Sequence, residues 1–589
     1  MTLLDSFSPG DTESASKGQL AHPMNIAHLK QLEEHLYQVG EKAYCFVGNG
    51  LSNQTFVEGP EGLIVVDTGE SIQEMEAALR AVRKVTKAPV VACFYSHFHY
   101  VSGTQALLDE GNVTEIPIYG HSGIPDNIAR FGGEVAPRVS RGLVHQFGLK
   151  LPAEGKDGLV HVGLGRFFRN PAHAPFTQGY IPPNITFNSR KKFKVAGLDV
   201  EFVPAPSDAT DSLTIWFPSL KVAINNLLWP ALFNIFAIRG EEYRDPRVLL
   251  DGLDELRNYV PEFLIGAHGP PLFGAEPIAK AILKYRDSIQ YIWDQTVRGA
   301  NLGLSADELI KFVSLPTSYK DTYLTQQLYG LVEHHVRQIY FGLFGWFDED
   351  ESKLFPVPAP ERAKKLIAGF GGKEMVRAAF DQAMEEKDYR WAVELASWLV
   401  RYNADLTGKL DSGEREDRVR LSNALKAIAY STTSSNIRNW CLTRALELDG
   451  TINLSRFREH RFAYHPADAG SANQTMHLLR VLLVPERAQD YEARVGLFLD
   501  GEKVSGLIIR NQVAVSMVLD GKNFEKGPEL ELKISKGNWA KLMSGRARLS
   551  QLIGKKEAEC VPDNTSIIKF FSCFDHPSFC DSEEEHVHG

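Results

Sequence analysis

His97 and His99 stand two residues apart in the run YSHFHYVSG at 95–103, directly after the apolar stretch VVACF. At the end of a strand, two imidazoles with this spacing can turn toward one cation, and neutral imidazole is a preferred zinc ligand. On its own an HxH reads first as a pair of exposed loop histidines that only hydrogen-bond. Its neighbours along the chain change that balance. VVDTG at 65–69 precedes it, APSDATDSLTIWFP at 205–218 follows it, and GAHGPP closes the series at 266–271.

The elements that must hold these residues alternate strand and helix. GLIVVDTG, a helix over 72–85, VVACFYSH and IPIYGHS follow in turn from about Tyr44 to His268, which means a layered α/β architecture. Asp67, His97 and His121 then end strands, where sites are usually built. After Pro277 the texture is helical. Ile278, Ile282, Ile289, Ile292, Trp293 and Val297 approximate a 3.6-residue period that Gly299 and Gly303 stop, and Ser305 with Glu308 forms a capping box for the next helix. Trp391, Leu395, Trp398, Leu399 and Tyr402 make an apolar stripe, expected as core or subunit interface. The stretch 403–417 reads as a polar loop. From about Ser471 the period falls toward two: MHLLRVLLV, RVGLFLDGEKVSGLIIR, QVAVSMVLDG and LELKI are expected as strands. Asp500-Gly501 marks a hairpin, and NWAKLMSGRARLSQLI reads as a closing helix, giving a separate α+β domain.

A chain of 589 residues exceeds one hydrophobic core, so two or three domains are expected. A net charge of -10 spread along the length argues against a nucleic-acid surface, and no apolar run is long enough to span a membrane. The N-terminus lacks a basic start followed by an apolar stretch, so a cytoplasmic location is expected. Cys45, Cys93, Cys441, Cys560, Cys573 and Cys580 show no CxxC spacing and read as reduced thiols, with Cys573 and Cys580 close enough to pair.

The order and spacing of VVDTG, the HxH run, APSDATDSL and GAHGPP resemble the metallo-β-lactamase fold. More specifically, Phe233-Asn234 followed by IRGEEYRDP, KYRDSIQYIWDQTVRGANLG, FGLFGWFDED and DYRWAVELASWLV resemble the class III alkylsulfatases in order, over nearly the whole chain. The resemblance implies an αββα sandwich at 44–276 after an N-terminal extension at 1–43. A helical dimerisation domain at 277–458 and a sterol-carrier-like α+β domain at 471–589 would follow. It places Asp67 behind the site, His97, His99 and Asp208 on one metal, and His268 among the ligands of a second. Arg239, Arg244 and Asn234 would hold the substrate, since an arginine's planar fork suits a tetrahedral oxyanion. Asp211 and Asn226 join the two arginines as catalytic candidates. Surface ion pairs of the arginines with Glu241 or Asp245 are the plainer alternative.

The family's HxHxDH pattern is broken. Val101 and Ser102 stand where its Asp and third His belong, Asn225 or Asn226 replaces a bridging glutamate, and Phe147 replaces a tyrosine. A second register puts His97 at the second ligand, His99 at the aspartate and Tyr95 at the first histidine. The implied cofactor is one or two zinc ions, with iron or manganese as alternatives. The implied activity is hydrolysis of alkyl sulfate esters by a homodimer whose substrate carries an apolar chain. Two other readings stand beside it: a same-fold lyase or oxygenase with a single metal, and a lipid-binding relative without catalysis. His334 and His335 are expected to pack a helix, His121 and His173 to lie in loops without fixed partners, and the tail at 582–589 to be solvated.

Overall fold

Runs of β-branched and aromatic residues broken by turns build two sheets whose inner faces are almost wholly apolar. The computed structural model describes residues 11–131, 133–402, 413–458, 469–517 and 527–579. The first sheet has seven strands in chain order: β1 His35–Val39, β2 Ala43–Val47, β3 Gln54–Gly59, β4 Gly62–Val66, β5 Val90–Phe94, β6 Ile118–His121 and β7 Ile185–Phe187. It is antiparallel to β4 and parallel from β4 onward, because the helix Ile72–Val82 carries the chain back between β4 and β5. Ser71 starts that helix by accepting the Glu74 N–H at 3.2 Å.

The second sheet has six strands, β8 Lys191–Val195, β9 Leu198–Pro204, β10 Leu213–Phe217, β11 Val222–Asn225, β12 Phe263–Gly266 and β13 Leu272–Phe273, with only β11 and β12 parallel. Phe94 from the first sheet meets Phe202 edge-on at 4.9 Å and stacks on Phe217 at 6.3 Å from the second. The sandwich already includes β1, which pairs with β2 inside the stretch expected to be an N-terminal extension. Helices Pro246–Asn258 and Ala275–Asn301 cover the second sheet.

Helix Ala275–Asn301 runs through Gly299, contrary to the expected stop there. Gly303, at φ +85°, follows its end. Ser305 and Glu308 do exchange N–H contacts, at 2.8 and 3.4 Å, before the short helix Leu309–Phe312. Of the apolar stripe, Leu395 and Leu399 enter the core of helices Ala359–Gly369 to Ser435–Leu448, whereas Trp391 and Trp398 stay half-buried and meet edge-on at 5.5 Å. Of the polar loop expected at 403–417, residues 403–412 lie outside the described residues. Its end is helical, because Arg415–Ser431 starts inside it.

The described residues form two compact units, the second comprising the chain from Leu454 with Arg130–Arg138. Its sheet has five strands, β14 Ala493–Leu499, β15 Glu502–Arg510, β16 Val513–Ser516, β17 Leu530–Ile534 and β18 Ala558–Val561, in the order β16-β15-β14-β17-β18. MHLLRVLLV is not a strand: it ends the helix Ala469–Leu478 and forms the 3-10 turn Leu479–Leu482. Met476 and Leu479, three apart, are both fully buried, and an apolar run this short fits either period until packing decides. Cys580 and the tail at 582–589 lie outside the described residues. Among the described residues no helix is long and apolar enough to cross a membrane.

Candidate metal centre

Loops after β4, β5, β9 and β12 gather at one edge of the sandwich. The Leu213 N–H donates to the Ser96 carbonyl at 2.9 Å, which ties the edges of the two sheets together, and the Thr68 N–H donates to the Tyr100 carbonyl at 2.8 Å, which joins the loops after β4 and β5. Asp67 sits at φ +60°, an uncommon conformation for a side-chain-bearing residue and one that aims its carboxylate at Ser96.

Ser96 gives Asp67 its backbone N–H at 2.8 Å and its hydroxyl proton at 2.6 Å. With that proton engaged, the Ser96 oxygen accepts from His97 Nδ1 at 2.8 Å. The tautomer follows: His97 carries hydrogen on Nδ1 and turns a bare Nε2 inward, buried and without a hydrogen-bond partner. Burial pulls the His97 imidazole down to about 3, against the pull of Asp208, so it stays neutral and available as a ligand. Burial likewise pushes Asp67 up to about 7 despite its two hydrogen bonds.

His99 Nδ1 lies 3.4 Å from Asp208 Oδ2. One ligand atom from each of His97, His99 and Asp208 falls within 4.8 Å of the others, a group that could hold a metal ion. Two imidazoles and a carboxylate suit a divalent cation, and the partnerless Nε2 of His97 is the kind of atom such an ion satisfies. Burial opposes ionisation of Asp208, but His99, His97 and Arg244 outweigh it and hold the carboxyl well below the usual range. Asn226 Nδ2 donates to Asp208 Oδ1 at 2.7 Å while its Oδ1 accepts from Trp229 Nε1 at 3.1 Å. Its amide therefore orients Asp208.

His268 stands beside this group. Its Nδ1 must donate to the Leu51 carbonyl at 3.0 Å, leaving Nε2 to face the Tyr100 hydroxyl at 3.4 Å, and burial holds the ring at about 4. Asp211 is fully buried, and burial raises its carboxyl to about 6 against hydrogen bonds from Asn127 and the Phe98 backbone. At the positions where the family pattern is broken, Val101 offers no ligand. Asn225 is engaged with the backbone N–H groups of Leu227 and Leu228 and with the Ile265 carbonyl. Tyr95, the first ligand in the alternative register, uses its hydroxyl on Thr104 at 2.6 Å and the Ile181 carbonyl at 2.8 Å.

Arg239 and Arg244 are both buried, and both pair with Glu241, one on each carboxylate oxygen. Glu241 Oε1 also lies 3.7 Å from His99 Nε2, which brings the arginines to the border of the metal group. Asp245 instead caps helix Pro246–Asn258 and pairs with the exposed Arg247. Arg244 Nη1 donates to the Asn234 carbonyl at 2.6 Å, and Asn234 Oδ1 meets His335 Nε2 at 3.1 Å. Phe147 lies under Arg239, its ring centroid 5.8 Å from the guanidinium carbon. His173, expected without a fixed partner, is buried with Nε2 2.9 Å from Asn49 Oδ1. His121 Nδ1 accepts the Gly123 N–H at 3.0 Å. Sequence reasoning passed over Ser96 and Tyr100 and took Glu241 only as an ion-pair partner. The Arg-x-Glu-x-x-Arg spacing at 239–244 was the one available signal.

The sequence model of the metallo-beta-lactamase superfamily matches residues 47–224, and that of alkyl sulfatase dimerisation matches residues 305–451. Over 537 residues the chain is 33% identical to a linear primary-alkylsulfatase of Pseudomonas sp. (strain ATCC 19151), covering 88% of this chain and 98% of that protein. An (R)-specific secondary-alkylsulfatase of Pseudomonas sp is 24% identical over 587 residues, 97% of this chain and 84% of the relative. The solved structure of the stereoselective inverting sec-alkylsulfatase Pisa1 from Pseudomonas sp. superposes with a TM-score of 0.80 at 23% identity, covering 97% of this chain and 89% of that one.

Proposed function

We propose, from the premise that this chain belongs to the alkylsulfatase family on the metallo-β-lactamase fold, that it is a metal-dependent hydrolase of alkyl sulfate esters. The observation that carries this reading is the juxtaposition of His97, His99 and Asp208 with two buried arginines, linked through the 3.7 Å approach of Glu241 to His99. A cation group beside paired guanidiniums suits a substrate whose scissile ester carries a tetrahedral anion.

His97 Nε2, His99 and Asp208 would hold one zinc ion, with His268 Nε2 beside them. Zinc there supplies Lewis acidity toward the ester oxygens. Arg239, Arg244 and Asn234 bind and orient the sulfate. Asn226 positions Asp208, and Asp67 positions His97 through Ser96. Asp211, with a carboxyl raised to about 6 by burial, is suited to hold or move a proton near neutral pH. With Val101 at the place of the missing aspartate, we read the site as built around one dominant ion.

The segment matched by the dimerisation model exposes Phe344, Trp346 and Phe355, the last 88% accessible. Aromatic surface of that kind fits coverage by a second copy, and we infer a homodimer through this face. The C-terminal α+β unit is read as a sterol-carrier-like holder of the apolar chain. The test is elemental analysis of purified protein alongside sulfate release from a long-chain alkyl sulfate. About one ion per chain with turnover is expected, and metal-free protein with full turnover would overturn the reading.

A further inference from the structure

Glu241 stands where the proposed substrate anion would go. Its side chain is 5% accessible, and each carboxylate oxygen meets a different buried arginine, Arg239 on one side and Arg244 on the other. Oε1 also faces His99. Arg244 Nε and the amide nitrogen of Asn234, whose carbonyl accepts from Arg244, are buried donors without hydrogen-bond partners. A planar carboxylate engages one donor on each guanidinium, whereas a tetrahedral sulfate has oxygens left over for further donors of this kind. Glu241 lies between Gly240, at φ +90°, and the helix that begins at Pro246, in a stretch that is neither helix nor strand. Its side chain can therefore withdraw without breaking a ladder.

We propose that Glu241 is an internal competitor for the anion pocket: it occupies the paired guanidiniums in the resting protein, and a monoanionic sulfate group binds by displacing it. This rests on the hydrolase reading for the identity of the ligand, but not for its test. The resting plug pairs through both carboxylate oxygens with the two guanidiniums, as the anion it gives way to would. The residue thereby sets the affinity for sulfate esters, an assignment of specificity rather than of catalysis.

The experiment is calorimetric titration of inorganic sulfate into metal-loaded wild type, Glu241→Gln and Glu241→Ala, with metal content measured on the same samples. We expect sulfate to bind at least tenfold more tightly to both variants, with metal per chain unchanged. Unchanged or weaker sulfate binding in both variants overturns the proposal, and so does loss of metal, which would make Glu241 a ligand of the ion. If neither variant folds in plain buffer, refolding in rising sulfate replaces the titration: recovery supports the proposal, and no recovery at any sulfate concentration overturns it. Tighter sulfate binding by the variants, in a protein that releases no sulfate from alkyl esters, removes the hydrolase reading and leaves this one standing.

Discussion

The edge of the N-terminal sandwich and the C-terminal unit treat buried polar groups in opposite ways. At the edge, His97 Nε2, Asn234 Nδ2 and Arg244 Nε are buried without partners. In the C-terminal unit no described buried side-chain nitrogen or oxygen is left so. Ser505 reaches Asn473 at 2.7 Å, Trp539 Nε1 reaches Thr475 at 3.1 Å, and Ser578 donates to the Leu542 carbonyl at 2.6 Å. A buried polar atom without a partner costs about 1–3 kcal/mol, and those that border the metal group are the ones a cation and an anion would complete. The C-terminal unit closes its described buried polar groups on one another. The sandwich edge keeps polar capacity open for a cation and an anion.

The largest expected effect tests that contrast at the edge. His97→Ala removes a ligand whose only other hydrogen-bonding role is with Ser96. We expect loss of metal and a fall in alkyl sulfate turnover of at least ~10⁴-fold, about 5.4 kcal/mol of barrier, with the fold retained. Metal analysis and sulfate release decide it, and full metal content would break the assignment. In the C-terminal unit the corresponding loss is one of stability. Trp539→Ala empties a site that is 1% accessible and should cost ~3–5 kcal/mol in denaturant unfolding while leaving metal content intact. If metal were lost along with stability, the two regions would not be separable in this way.

Asp211→Asn sharpens the comparison from the side of charge. Burial raises the folded carboxyl above its unfolded value, so the folded protein binds the extra proton and its ionised form is the disfavoured one. The cost is present above about pH 6 and disappears as pH falls toward the ordinary 3.8. The difference between about 6 and 3.8 corresponds to at most about 3 kcal/mol. Metal-free Asp211→Asn should therefore be more stable than wild type at pH 8, equal to it near pH 4, and poorer in turnover when loaded. A variant less stable at pH 8 would show that the hydrogen bonds from Asn127 and the Phe98 backbone outweigh the burial of the charge.

Much of the scaffold was legible because its signals are local. The apolar strands before Asp67 and His97 and the Asp500-Gly501 turn each declare themselves within a few residues. The approach of His99 to Asp208 followed only from family resemblance, because residues more than a hundred positions apart leave no periodic trace. MHLLRVLLV was misread because nine residues of mixed spacing satisfy both periods, and burial of Met476 and Leu479 together settles the choice. Glu241 was hidden for another reason. In sequence it is one acid among charged neighbours, and only the fold turns both arginines onto it.

The smallest effect falls in the β14–β15 hairpin, and it isolates conformation from contact. Leu499 and Glu502 are paired across a loop of two residues, with Asp500 at φ +50° and Gly501 at φ +91°. Both values lie in the left-handed region that a tight hairpin matched to strand twist requires, and glycine adopts it without the steric cost of a Cβ. A Cβ built on Gly501 meets nothing within 4 Å, whereas one on Gly103, beside the metal edge, would meet the Thr68 carbonyl at 2.1 Å. Gly501→Ala therefore adds only the strain of holding an alanine at positive φ, about 1 kcal/mol in denaturant unfolding. Sulfate release by the folded protein should be unchanged, since no atom of the site depends on this turn. A loss well above ~2 kcal/mol would mean that the turn bears packing invisible in its open surroundings. A loss of metal would break the separation between the polar chemistry of the sandwich edge and the C-terminal unit.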